Sequence, residues 1–408
     1  MTDAPTPPSP QRDEERGDGM AQRMALQQRL GGITPPLLTA VFAFLMGGIV
    51  VAATGHDPLQ AYWGILKGAG LTWLVHPNLD ALGSLTTYNF TQTILRTSTL
   101  VLTGLAVAFA FRCGLFNIGG NGQYIVGVIV ALWVGTMWGE ALPRGLHVVV
   151  GVALAALAGA VWAGIAGLLK ATVGVHEVIS TIMLNWIAYW VGSYLLGNGG
   201  PLQNPDYKVS GNPISSDVVS SARVPVFWGD AELQGVHVGV FVSLAALVAF
   251  YLILNRTTLG YEVRAVGYNP DAASYGGISV KKNYFLAMAI SGSFAGLAAG
   301  LDILGWQYRF GQLDIQAVGV GFIGIAVALL GRNTAVGVLL AAILFGALDY
   351  GTTKGLDPEV FDPTLAGNLT YMIEGLVVLF VGADLLILWL WNLRRKSFTM
   401  PRLGGKGA

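Results

Sequence analysis

Residues 256–284 read RTTLGYEVRAVGYNPDAASYGGISVKKNY, a polar, basic island between two long apolar stretches. Within it Asn269 is a good N-cap, Pro270 suits the first helical position and Asp271 favours the positive end of the helix dipole. Gly276 and Gly277 supply a stop. The spacing predicts a helix of about two turns carrying Ala272, Ala273 and Tyr275, too short to hold its shape alone in water. It reads either as a docking element that needs a partner's groove or as an ordinary loop that contains a turn.

The chain around this island is apolar. Of 408 residues, 53% are hydrophobic and 11% charged, and the mean hydropathy is +0.59; soluble domains carry roughly 25% charged residues. Such a composition describes an all-α polytopic membrane protein. The net charge of zero gives no pull toward nucleic acid, so the distribution of charge is what informs. The single cysteine, Cys113, forms no internal disulfide and gives no metal site. Residues 1–30, Pro-rich and charged, read as a disordered tail, and 394–408 as a second polar tail. The first is not a signal peptide, because the apolar run behind it is long enough to span.

A spanning helix needs about 20 mostly apolar residues. About ten stretches qualify, near 33–53, 92–111, 122–138, 146–168, 177–197, 236–254, 284–303, 317–331, 334–353 and 369–391, which makes 31–393 the membrane domain. Ten spans put both termini on one side. Of the 23 Lys and Arg, sixteen fall on that side, six on the other and Arg96 within a span; without the four tail arginines the balance is still twelve to six. Positive charge marks the cytosol. Both termini and the island at 256–283 are therefore expected there, with the loop at 198–235 outside. That loop, rich in Gly, Pro, Ser and Asp, is either a solvated connector or a landing surface for an extracytoplasmic partner.

Enzyme motifs are missing. No G-x-x-x-x-G-K-[ST] occurs, so the chain is not expected to hydrolyse nucleotide itself. Gly319–Gly324 matches G-x-G-x-x-G but lies in an apolar span without a βαβ context. His176-Glu177 lacks the second histidine of a zinc protease, and the five histidines have no ligand-like spacing. No cofactor or metal is expected in this chain.

Gly292, Gly296 and Gly300 form a small-residue stripe that lets helix backbones approach, and Ala160, Gly164 and Gly167 offer another. Two glycine-rich interruptions, LFNIGGNGQ at 115–123 and Gly319–Gly324, each lead into an apolar run. Paired breaks of this kind in two halves of a transporter commonly mark half-helices beside the substrate path; alternatively the first is a plain cytosolic turn. Polar residues within spans are Asn89, Gln92, Arg96, Glu177, Asn185, Asp302, Gln307, Glu374 and Asp384, and such groups usually face the bundle interior or water. Arg96 and Glu374 are expected to pair, unless Arg96 snorkels outward. Few fixed charges favour a neutral polar solute. Trp186 and Trp306 suit stacking on a flat ring or anchoring at the membrane interface. The candidate substrate path is thus Asn89, Gln92, Asn117, Asn121, Gln123, Asn185, Trp186 and Trp306.

Four motifs then converge: TGLAVAFAFRCGLFNIGGNGQ (103–123), GVHEVISTIMLNWIA (174–188), GYNPDAASYGGIS (267–279) and GFIGIAVALLGRNTAVG (321–337). Together they resemble the permease subunits of bacterial ABC importers, in the nucleoside and simple-sugar branch related to ribose and branched-chain amino-acid permeases. The resemblance covers about 33–391. It implies a type II importer fold with inverted repeats, in the bacterial cytoplasmic membrane. It also implies a second, non-identical permease, cytosolic ATPases that use ATP and Mg, and an extracytoplasmic lipoprotein or substrate-binding protein. Coupling to the ATPase is carried over to the 261–277 element, with Arg264, Gly267, Asn269, Pro270, Asp271, Ala272, Ala273, Tyr275 and Gly277. Asn121 stands where the family often has an acidic residue, and Ile323 where a polar one is common. The expected function is import of nucleosides. The alternatives are a simple sugar such as ribose or galactose, or an ion-coupled secondary transporter using Glu374 and Asp384.

Overall fold

The computed structural model describes residues 40–355 apart from 81–82, 140–141 and 207–211, together with a few positions between 372 and 379. Both tails, Glu374, Asp384 and most of the expected span at 369–391 lie outside the described residues.

Thirteen helices follow in chain order among the described residues: α1 (Ala40–Ala53), α2 (Pro58–Gly68), α3 (Leu85–Arg112), α4 (Gly120–Met137), α5 (Arg144–Val173), α6 (Glu177–Leu196), α7 (Gly239–Arg256), α8 (Thr258–Tyr268), α9 (Pro270–Tyr275), α10 (Val280–Asp302), α11 (Gln312–Ala317), α12 (Val320–Leu330) and α13 (Ala335–Gly355). Seven stretches of them are long and apolar enough to cross a membrane, or eight if the α1–α2 pair, bent by 116°, is one span. α11 and α12 make one of the seven only when taken together. α2 has no counterpart in the sequence reading. It is an 11-residue amphipathic helix, capped at Asp57 by a 2.8 Å bond from the Leu59 N–H, and too short to span on its own.

α3 is the hub. Its middle, Leu95 and Leu100 to Ala110, is almost entirely buried, with α4, α7, α10, α12 and α13 packed around it. The most extensive helix–helix packing is that of α5 with α10. Gly292 and Gly296 of α10 lie directly on the Gly159 and Ala155 carbonyls of α5, where an added Cβ would collide with backbone. Gly300 packs on Ala155 and Val152, and Gly167 on Met288. The row on α5 that answers the glycine stripe is therefore Ala155, Gly159 and Ala163, with Ala160 turned one position aside.

The two ends of the bundle differ. The upper end is covered by residues 197–206 and 212–235 and a short antiparallel pair, β1 (Val226–Trp228) and β2 (Val236–His237). This segment is packed onto the helices: Val219 N–H donates to the Gly135 carbonyl at 2.9 Å and Val224 N–H to that of Leu304 at 2.7 Å, and Val218, Ala222 and Val224 are buried. His237 at its end is also buried, its Nδ1 accepting from Gly239 N–H at 3.1 Å. The lower end carries α8 and α9, the Lys170–Glu177 ion pair at 2.9 Å and the ends of α3 and α12.

Candidate functional site

The lower-end island folds as its residues dictate. Thr257 caps α8 with a bond from Gly260 N–H, and Asn269 Oδ1 caps α9 by accepting from the N–H groups of Asp271 and Ala272 at 3.0 and 3.1 Å. Gly277 ends the turn at φ +80°, a conformation that suits glycine. α8 buries Gly260, Val263 and Val266 against the bundle, and Glu262 Oε2 accepts from Asn283 Nδ2 of α10 at 3.0 Å. Arg264 bonds back to the Gly260 carbonyl. Gly267 rests on the Arg112 carbonyl at the end of α3, and Gly114 (φ +73°) approaches Gly267 so closely that a Cβ would stand 3.3 Å from it. Ala273 is buried against the protein, whereas Pro270, Asp271, Ala272 and Gly277 are exposed, and Tyr268 and Tyr275 are 89% and 95% exposed. The element thus presents two tyrosines and a flat, small-residue surface outward.

The two glycine breaks, 200 residues apart in sequence, meet in the middle of the bundle. The chain leaves α3 at Arg112, turns back inside the protein through Leu115 and Asn117, both buried, and only then begins α4 at Gly120. Asn117 and Gln123 exchange amide hydrogen bonds at 3.0 and 2.9 Å, and Asn117 also donates to Ser291 Oγ at 2.7 Å. Asn185 of α6 donates to the Ile118 carbonyl and accepts from Gly122 N–H. Asn121 then clasps the second break: its Nδ2 donates to the Val318 carbonyl at 3.1 Å and its Oδ1 accepts from Gly321 N–H at 2.7 Å. Gly120 and Gly321 pack backbone on backbone. Ile323, one turn into α12, is half-buried against the core.

Above this clasp lies a cavity of about 440 Å³. Its floor is Ala317 to Val320, the break between α11 and α12, and Gln234, Arg309, Phe310 and Asp314 rim it at the upper end. Tyr124, Asp302, Trp306 and Arg96 form the wall. Asp302 is 4% exposed and holds this wall in place: Thr99, Tyr124 and Trp306 all donate to its carboxylate, at 2.7, 2.7 and 3.0 Å. Past Asp302, α10 widens into a π-turn at Ile303–Gln307 and then reverses at Tyr308 (φ +58°), which carries Trp306 into the wall. The Arg96 guanidinium sits 5.0 Å from the Trp306 ring centre and 3.7 Å from Asp349, both charges being partly exposed. Glu374, its expected partner, lies outside the described residues.

Of the expected substrate-path residues, Trp306 lines the cavity and Asn121 holds its floor, while Asn117, Gln123 and Asn185 brace that floor from below. Gln92 reaches the rim by donating to the Gln234 carbonyl at 2.8 Å. Asn89 lies elsewhere, against Tyr350 of α13. Trp186 is 55% exposed on the outer face of α6, beside Tyr189, because its neighbour Asn185 turns inward and adjacent helix positions point about 100° apart. Tyr124, Arg309 and Asp314 were not singled out from sequence, and Arg96, Asp302 and Gln307 only as polar residues in spans. The i, i+4 spacing of Asp302 and Trp306 is a signal that placed both on one face.

A family model described as "Branched-chain amino acid transport system / permease component" matches residues 89–382. The chain is 36% identical over 386 residues to the guanosine ABC transporter permease protein NupP of Bacillus subtilis, covering 93% of this chain and 99% of that one. It is 31% identical to the nucleoside ABC transporter permease protein NupB of Lactococcus lactis, over 84% and 91% of the two chains. It is 34% identical to the glucose ABC transporter permease protein TsgB13 of Haloferax volcanii, over 85% and 86%. No solved structure matches it. With its apolar helices and the match across most of its length, the chain is a multi-pass membrane protein that belongs to this family of transport permease components.

Proposed function

We propose that the chain is the translocating subunit of an ATP-driven importer of nucleosides in the bacterial cytoplasmic membrane. The observation that carries this is the cavity: a ligand-sized space, walled by Trp306 and Tyr124, that ends on two clasped glycine breaks. Pockets of ligand size run from about 300 to 1,000 Å³. Kinship with permeases named for guanosine and for nucleosides supports the cargo, and kinship with a glucose permease supports a simple sugar as the second reading. The meeting of two corresponding half-helix starts at one point supports an inverted-repeat fold; counting α4, the bent α1–α2 pair and the segment at 369–391 beside the seven long apolar stretches makes ten spans.

In this reading the upper end faces outward and receives solute from an extracytoplasmic binding lipoprotein. The lower end and both termini face the cytosol, as the basic residues there favour. α8 and α9 dock on the ATPase, whose ATP and Mg stay outside this chain, and a second, non-identical permease completes the pore. ATP-driven motion shifts the floor between closed and open; moving a two-state gate from 1:99 to 99:1 takes about 5.5 kcal/mol of differential affinity. Uptake of labelled guanosine and glucose by cells lacking the gene, with and without its re-expression, tests the cargo. Gene-dependent uptake blocked by several nucleosides and not by ribose is expected. Gene-dependent uptake of sugars alone retires the nucleoside reading.

A further inference from the structure

Asp302 presents the cavity with a carboxylate that is not fully used. Its Oδ1 accepts from Thr99 Oγ1 and Trp306 Nε1, while among the described residues Oδ2 accepts from Tyr124 alone. An ionised carboxylate offers about four lone-pair sites. Three donors therefore leave one acceptor position, on Oδ2, of a residue that lines the cavity wall. Burying a carboxylate is costly unless hydrogen bonds and a cation compensate it. Here Thr99, Tyr124 and Trp306 all donate to the carboxylate, and the Arg96 guanidinium lies over the Trp306 ring. The arrangement is rigid on both sides, since Trp306 is fixed by Asp302 on its ring N–H and by Arg96 over its face.

We infer that Asp302 is a specificity-determining contact for the translocated solute, its free Oδ2 lone pair accepting from a hydroxyl of the solute's sugar ring. This rests on the importer reading above and names the chemistry that both cargo readings share: a neutral, hydroxyl-bearing ring lying beside an aromatic wall. A solute stripped of ring hydroxyls leaves the carboxylate's last acceptor position without its partner, and a site built around a hydrogen bond rejects the analogue that lacks it.

The test uses the complete importer with its binding protein and ATPases, at saturating solute, so that the binding protein's own choice is already made. The probes are labelled guanosine and 2′,3′-dideoxyguanosine, and the amount of permease in the membrane is measured for every variant. Asp302→Asn is expected to lower guanosine transport about tenfold, the scale of one hydrogen bond to a charged group, and to change transport of the dideoxy compound less than about twofold. Thr99→Val removes a donor from Oδ1 and leaves the free position intact; it is expected to keep the preference for guanosine. Loss of both solutes to the same degree in Asp302→Asn at wild-type abundance makes Asp302 a structural brace and overturns the inference, as does unchanged transport of both. Should Asp302→Asn fail to accumulate, Asp302→Ser is read in the same way. If the wild type carries glucose and not guanosine, the nucleoside reading fails, and the same comparison with glucose and 2-deoxyglucose still decides the role of Asp302.

Discussion

Gly296 sits where α10 crosses α5, and a Cβ there would run into the Ala155 carbonyl oxygen. Within lipid no hydrophobic drive holds two helices together, so close backbone contact is what binds this pair. Gly296→Leu is expected to destabilise the permease by about 3 kcal/mol or more, since backbone cannot move aside as a flexible side chain can. Thermal unfolding of the purified protein, followed by loss of the monodisperse peak, measures this. Gly145→Ala is the control: nothing lies within 4 Å of a Cβ at that position, and the variant should unfold with the wild type. The stripe itself was legible, because glycines four apart share a helix face whatever they touch. Its partner was not: Gly159 and Ala160 differ by one position, hence by about 100° of rotation, and a single sequence does not fix how α5 is turned. Asn121 is similar. Its place in a glycine break could be read, whereas the carbonyl and N–H it clasps belong to residues 197 and 200 positions away.

The α8–α9 element was legible in nearly full detail because caps and stops are local. Asn269, Pro270 and the glycines act within a few residues, and the helix at Pro270–Tyr275 starts where they say. The faces of the element were less so, since six helical residues carry too little periodicity to tell inside from outside. Ala273 proves to be buried and Ala272 exposed. Ala272→Arg therefore changes the outward surface alone, and surface changes of this kind cost within about 0.5 kcal/mol of stability. It is expected to leave the thermal midpoint of the permease unchanged while ATPase subunits no longer co-purify and uptake is lost. Normal co-purification and uptake would remove the docking role. Two other elements escaped sequence reading for opposite reasons. α2 is too short and amphipathic to register as a span, and the π-turn after Asp302 arises from tertiary hydrogen bonds with no local signature.

Across the whole molecule, the α8–α9 element and the cavity floor are joined by a short run of packed parts. Gly267 of α8 bears on the Arg112 carbonyl, and the Arg112 side chain reaches the other way, its Nε and Nη2 donating to the Asn333 carbonyl at 2.9 and 2.7 Å. Asn333 belongs to the turn after α12, where Arg332 and Asn333 both hold positive φ, at 51° and 53°. From that turn α12 runs as an unbroken bar of 11 residues, about 16 Å, to the floor at Gly319–Gly321. The other member of the clasp, the first turn of α4, is reached from the same Arg112 through the loop at 113–119, in which Cys113, Leu115, Asn117 and Gly119 are buried. In the importer reading, movement of α8 against the end of α3 would act on both sides of the floor through one residue. Arg112→Ala removes two charge-assisted bonds, each worth about 1.5–3 kcal/mol, and frees α12 from α8 without touching the cavity or the docking surface. In reconstituted importer it is expected to keep ATP hydrolysis within about twofold of wild type while solute carried per ATP falls at least tenfold, because 1.4 kcal/mol of lost coupling already corresponds to a factor of ten. Arg112→Lys, which offers one point charge in place of a fork, should fall between the two. If Arg112→Ala carries as much solute per ATP as the wild type, the drive reaches the floor by another route, and the Glu262–Asn283 contact between α8 and α10 becomes the linkage to break next.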